Sequence, residues 1–186
     1  MRVLLAAAGL GLALSAAAAP AAWAADPQNT LYLDLKDNCR VTIEMRPDLA
    51  PKHVARIKEL ARMGFYDGTP FHRVIDGFMV QGGDPTGTGM GGSGQKLQAE
   101  FSSEHHGRGV ASMARSSNPN SADSQFFIML GDTPSLDGKY TIWGKVTSGM
   151  ECVDKIKKGN AADNGSVSNP DKIVHMSVAA DAGKKK

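Results

Sequence analysis

Phe71–Asp84, FHRVIDGFMVQGGD, is the stretch whose reading decides the fold. It sets His72 and Arg73 between apolar residues, breaks at Gly77, resumes with Phe78, Met79 and Val80, and ends on Gln81, a glycine pair and Asp84. Short apolar runs interrupted by glycine predict a tight antiparallel corner, with successive side chains on opposite faces. On the first run this alternation predicts Phe71, Arg73 and Ile75 on one side and His72 and Val74 on the other. An arginine among apolar neighbours is unusual, because a guanidinium keeps its charge and is costly to bury without acceptors. Two readings are open. Either Arg73 lies on an edge strand with its head in water, or it faces a pocket where Gln81 orients it beside an apolar wall of Phe78 and Met79.

Upstream, Leu31, Leu33 and Leu35 alternate with polar residues, Asp37-Asn38 supplies a turn, and Val41, Ile43 and Met45 alternate again. A hairpin of two half-buried strands is predicted. Pro51 then opens a helix whose apolar face is Val54, Ile57, Leu60 and Ala61, and Gly64 closes it. Downstream, strands are predicted at Gly109–Ala114, Phe126–Leu130, Tyr140–Val146 and Ile173–Val178, with a short helix over Met150–Ile156. Many short antiparallel strands with two helices between them predict a mainly β fold, a barrel or closed sheet in which closure protects the strand edges.

The two ends of the chain read differently from its body. Met1-Arg2, a Leu/Ala-rich run to Ala19, Pro20 and then Ala22-Trp23-Ala24 have the charged start, apolar middle and small-x-small end of a secretory signal. Cleavage after Ala24 or Ala25 is expected, leaving one domain over residues 25–180 and a basic solvated tail over residues 181–186. Without Arg2 the chain has 20 basic residues (21 − 1) against 19 acidic ones. That balance offers no electrostatic footprint for nucleic acid or for an anionic membrane. Cys39 and Cys152 leave both a disulfide and two free thiols open. Free thiols are the expectation, since Cys152 reads as a small core residue of the second helix.

Conventional catalytic signatures are missing. The five histidines show no metal-ligand spacing, so no metal is expected, and His105-His106 reads as a solvated pair. No GxSxG elbow frames a nucleophile. Gly87, Gly89 and Gly92 satisfy GxGxxG, but no helical period follows, and a flexible surface loop is predicted rather than a nucleotide site. A pocket of Arg, Gln, Phe and Met suits hydrogen bonding and apolar grip.

FHRVIDGFMVQGGD, with GFYDGTPFHRV running into it and SQFFIML and LDGKYTIWGKV downstream, closely resembles the cyclophilin-type peptidyl-prolyl cis-trans isomerases, particularly exported bacterial members. The resemblance runs from about Thr30 to Val178. It implies a closed eight-stranded antiparallel barrel capped by two α-helices, with a proline-binding groove on its outside. It also implies that Arg73 is the catalytic arginine and Gln81 its hydrogen-bonding neighbour. Phe78, Met79, Phe127 and Leu136 would hold the proline ring, and Ala114, Arg115 and Ser116 would line the groove for substrate backbone. Tyr140 stands where many eukaryotic members have a histidine, Ser135 where they have a tryptophan, and Arg115 where the best-known members carry asparagine. Tyr140 remains a candidate substrate-binding residue, because it offers an aromatic face and a hydroxyl. The expected partners are proline-containing unfolded or partly folded polypeptides, handled in the periplasm by a monomer without a cofactor. A non-catalytic proline-peptide-binding chaperone is the alternative.

Overall fold

The computed structural model describes residues 26–183. The leader read at residues 1–24 and the basic end Lys184–Lys186 lie outside the described residues. β1, Thr30–Leu35, and β2, Cys39–Met45, form the predicted hairpin. Leu31 faces Ile43 and Leu33 faces Val41 across the pair, and all four are buried. Asp37 and Asn38 turn the chain in left-handed backbone, φ 59° and 56°, a conformation these two residue types tolerate.

Helix α1, Pro51–Arg62, buries Val54, Ile57, Leu60 and Ala61 as predicted and packs across β8, His175–Val178. Pro51 sits in the first turn, where its missing N–H has no helical partner to lose. No side chain of the helix's own start caps it. The carboxylate of Glu100 does so from a distant segment, accepting from the backbone N–H groups of Lys52 and His53 at 3.1 Å each. Gly64, at φ 70°, ends the helix.

The remaining elements are β3, Arg73–Ile75; β4, Met79–Gly82; β5, Val110–Met113; β6, Phe126–Met129; β7, Ile142–Ser148; and the short helix α2, Met150–Asp154. All eight strands join one antiparallel sheet in the order β3-β4-β6-β5-β7-β2-β1-β8. The expected closed barrel does not form. β3 and β8 are the two ends of the sheet and no ladder joins them. Residues 68–74 instead meet residues 165–173 through single bonds, such as Gly68 N–H to Ile173 O at 2.8 Å and Phe71 N–H to Asp171 O at 2.9 Å. The cause is local: β3 has three residues, and Asn164, Gly165 and Asn169 opposite it take left-handed backbone, which interrupts a ladder. The protein is a curled, open half-barrel with two helices, its edges covered by loops.

Two apolar clusters lie on the two faces of this sheet. Inside, Trp143, Tyr66, Phe71 and Phe126 are the largest buried side chains. Outside, Met79, Phe127, Met129 and Ile142 form a smaller cluster. The continuous apolar run FFIM is thereby explained, since Phe126 and Ile128 point inward while Phe127 and Met129 point outward. Phe71 departs from the predicted alternation: it joins Val74 in the inner core, because strand geometry begins only at Arg73.

Cys39 and Cys152, expected as free thiols, are joined in a disulfide with Cα atoms 5.8 Å apart. Packing of α2 against β2 brings the two together, a proximity that a sequence separation of 113 does not reveal.

Candidate active site

The β3–β4 register places Arg73 directly opposite Gln81. Its guanidinium, half-buried at the sheet's outer edge, donates from Nη1 to Gln81 Oε1 at 3.1 Å. Nε donates to Asn164 O at 3.0 Å and Nη2 to Asn164 Oδ1 at 2.9 Å. Burial lowers the pKa of this group from its ordinary value, although an arginine stays charged at any working pH. No carboxylate pairs with it among the described residues, so its charge is available to the groove. His72, beside it, lines the same groove, and burial lowers its pKa.

Gln81 is itself held. Its Nε2 donates to Gln125 Oε1 at 3.0 Å, and Gln125 Nε2 donates to the carbonyls of Gly89 and Gly91 at 2.9 and 2.8 Å. The glycine-rich segment is therefore not the loose loop expected. Asp84 accepts from the backbone N–H groups of Thr86, Gly89 and Gly91 at 2.8, 2.7 and 3.1 Å, and Asp123 accepts from Ser93 and Gly94 at 2.7 and 3.1 Å. Burial alone would raise the Asp84 pKa, but the bonds from Thr86, Gly91 and Gly89 leave it lowered. Gly91 has no room for a side chain, since a Cβ would stand 2.1 Å from Asp84 Oδ1. A chain of fixed dipoles thus runs from Asp84 through the loop to Gln125, Gln81 and Arg73.

Beside Arg73 opens a groove of about 510 Å³. Phe78, Met79, Phe127 and Leu136 line it together with Ala114, Arg115 and Tyr140. Phe127 is nearly buried and meets the Tyr140 ring edge-on at 5.8 Å. Ser116 is exposed beside the groove, with its N–H donated to Ser121 Oγ at 2.9 Å. A flat apolar wall next to a fixed cationic donor matches a small apolar ring joined to a polar amide. Phe127→Ala is expected to weaken binding of proline peptides about tenfold or more and to lower the exchange rate with it, by removing roughly 1.5–3 kcal/mol of apolar contact. Peptide titration followed by NMR checks this, and unchanged affinity would place Phe127 outside the binding surface.

The cyclophilin type peptidyl-prolyl cis-trans isomerase/CLD family profile matches residues 30–178. The chain belongs to this family. A probable peptidyl-prolyl cis-trans isomerase of Brucella suis biovar 1 is 56% identical over 182 residues, spanning 91% of this chain and 92% of its own. The crystal structure of a cyclophilin from Hirschia baltica is similar with a TM-score of 0.75 at 29% identity, covering 86% of this chain and 77% of that one. A Cryptosporidium parvum cyclophilin type isomerase, crystallised in the presence of the dipeptide Ala-Pro, gives 0.72 at 30% identity, covering 80% and 98%. This cyclophilin is a peptidyl-prolyl cis-trans isomerase, and Arg73, Gln81 and Gln125 are its active-site polar set. Among the described residues no helix is long and apolar enough to cross a membrane, and no cluster of His, Cys, Asp or Glu is arranged to hold a metal ion.

The histidine pair behind the cyclophilin's groove differs from its sequence reading. His105 is exposed, but His106 is buried, faces the Phe127 ring at 6.3 Å and bonds through its ring to Asp137 at 3.0 Å and Ser112 at 3.2 Å. Burial lowers the His106 pKa, with Asp137 opposing, whereas the hydrogen bond to Asp137 raises that of His105. Asp137 is held down to about 2 by the His105 ring and by the His106 backbone N–H. NMR titration should therefore show adjacent histidines titrating on opposite sides of 6.5, His106 below and His105 above. Their contributions to stability depend on pH in opposite directions. That of His106 is full above 6.5 and is lost as pH falls from 6.5 through its lowered pKa, while that of His105 is full below 6.5 and is lost as pH rises through its raised pKa.

Sequence reading missed Gln125, Asn164 and Asp84 as supports of Arg73. Gln125 carried a usable signal, a polar amide at the start of a fully apolar strand. Asn164 carried none, since it lies in a turn 91 positions from the arginine it holds.

Proposed function

We propose that this isomerase accelerates X-Pro rotation by aiming Arg73 at the prolyl nitrogen, and that it serves exported or refolding polypeptides in the periplasm as a monomer. The observation that carries the mechanism is the fixed guanidinium beside an apolar wall. A guanidinium has five N–H groups, and three are taken by Gln81 and Asn164. The other two remain for substrate. Rotation about an X-Pro amide is opposed by about 18–20 kcal/mol, because the nitrogen lone pair is delocalised into the carbonyl. In the twisted transition state that lone pair localises on nitrogen and becomes an acceptor. A donor placed there binds the transition state more strongly than either planar isomer, which is what catalysis requires. The apolar wall holds the proline ring while the preceding carbonyl turns. No covalent bond is broken, so the chemistry calls on no cofactor.

The signal-like start supports export, and a disulfide suits an oxidising compartment. NMR exchange on X-Pro peptides with the chain beginning at Ala25 tests the mechanism. Mass spectrometry of the protein isolated from its host should show loss of the first 24 or 25 residues, and an intact Met1 terminus in the mature pool would refute the export reading.

A further inference from the structure

Arg115 gives the same groove a second guanidinium, at its other end. Arg73 sits on β3 and Arg115 follows β5, with β4 and β6 between them. At about 4.8 Å per strand the two lie on the order of 14 Å apart across the outer face. The Arg115 guanidinium lies over the Tyr140 ring at 4.4 Å from its centroid. Nε and Nη2 donate to Lys139 O at 3.1 and 2.8 Å, and Nη1 donates to Ser116 O at 2.9 Å. Every one of these acceptors is a neutral carbonyl. By contrast Arg40, Arg46, Arg56, Arg62 and Arg108 each pair with a carboxylate. Among the described residues Arg73 and Arg115 are thus the arginines left without a counter-ion, and both line the groove. The groove's one lining acid, Asp163, adjoins Asn164 at the Arg73 end. The groove therefore carries an unpaired guanidinium at each end, and its lining acid lies near Arg73, so that the Arg115 end has a cation and no lining acid.

We propose that Arg115 is a specificity-determining residue that selects proline peptides carrying an acidic side chain one or two residues from the proline, on the side running toward β5. The proposal rests on the isomerase reading of the groove. Phe127, the ring-side wall, lies on β6, next to β5. One strand spacing from it equals roughly one to two residues of extended peptide at about 3.3 Å each. Stacking on Tyr140 and bonds to two carbonyl groups already hold the guanidinium in place, so a carboxylate meets it without further ordering of that side chain.

The test uses proline peptides bearing Glu, Gln or Lys one or two positions before or after the proline. Both kcat/KM for exchange and peptide affinity are read by NMR, at low salt and at about 0.5 M salt. At one placement the Glu peptide should exceed the Lys peptide about two- to fivefold in both quantities. The ratio should shrink at high salt, fall to near one in Arg115→Gln, and survive in part in Arg115→Lys, which keeps the charge. Equal values for Glu and Lys at every placement, or an unchanged ratio in folded Arg115→Gln, would overturn the proposal. Absence of exchange for every peptide would overturn the isomerase reading on which the proposal rests, whereas exchange of all the peptides at rates and affinities independent of their charge would overturn this proposal alone.

Discussion

Replacing Arg73 with alanine is expected to lower kcat/KM for X-Pro exchange about 10²–10³-fold, the usual consequence of removing one preorganised transition-state donor. The fold should survive, because Arg73 lies at the outer edge of a terminal strand and its neighbours Phe71 and Val74 carry the core contacts there. Gln81 and Asn164 lose a partner, but both line the open groove, where water can replace it. Arg73→Lys should recover little. An ammonium has no planar fork with which to meet Gln81 on one side and the backbone and side chain of Asn164 on the other. NMR exchange on a short X-Pro peptide, with the amide spectrum as the check on folding, measures both variants. Wild-type exchange in a folded Arg73→Ala protein would remove Arg73 from the mechanism.

Reduction of the Cys39–Cys152 disulfide is expected to give the largest loss of stability from a covalent change. The bond closes a loop spanning 113 positions, and for loops of this length chain entropy alone suggests about 4–5 kcal/mol, with about 2–5 kcal/mol typical of native disulfides. For a domain of this size the corresponding fall in Tm is on the order of 5–15 °C. The loss should unfasten α2 from β2 first, since the bond joins those two elements. The groove lies on β3, β4, β5 and β6, away from that contact, so the reduced protein should keep its exchange activity below its lowered Tm. Thermal unfolding with and without reductant, repeated on a Cys39→Ser, Cys152→Ser double variant, measures this. Identical midpoints would show that the cross-link contributes nothing to the folded state.

The parts of this protein legible in its sequence are those specified by neighbours along the chain. The β1–β2 hairpin and α1 follow from period 2 or period 3.6 in a few residues and from turn-forming Asp37, Asn38 and Gly64, whereas the outward turn of Phe127 in a continuously apolar strand is decided by the two packed faces of the sheet. Arg73 and Gln81 were readable as a pair for the same reason, because eight positions around a glycine corner bring them face to face. Beyond that range the sequence holds no ruler. Whether β3 and β8 join is settled by the left-handed backbone at Asn164, Gly165 and Asn169, which stops a ladder that the strand pattern alone would allow. The disulfide depends on where α2 lands on β2, and the burial of His106 depends on Asp137 and Phe127 arriving from two other segments. Gln125, Asn164 and Glu100 act on groups 44, 91 and 48 positions away. Local periodicity selects strand, helix and face, while contacts at that separation exist only once the sheet has curled. Arg73, Gln81 and the near wall of Phe78 and Met79 were therefore written in one corner of the chain, while the far wall of Phe127 and Leu136 and the scaffold that aims the arginine were decided by tertiary packing.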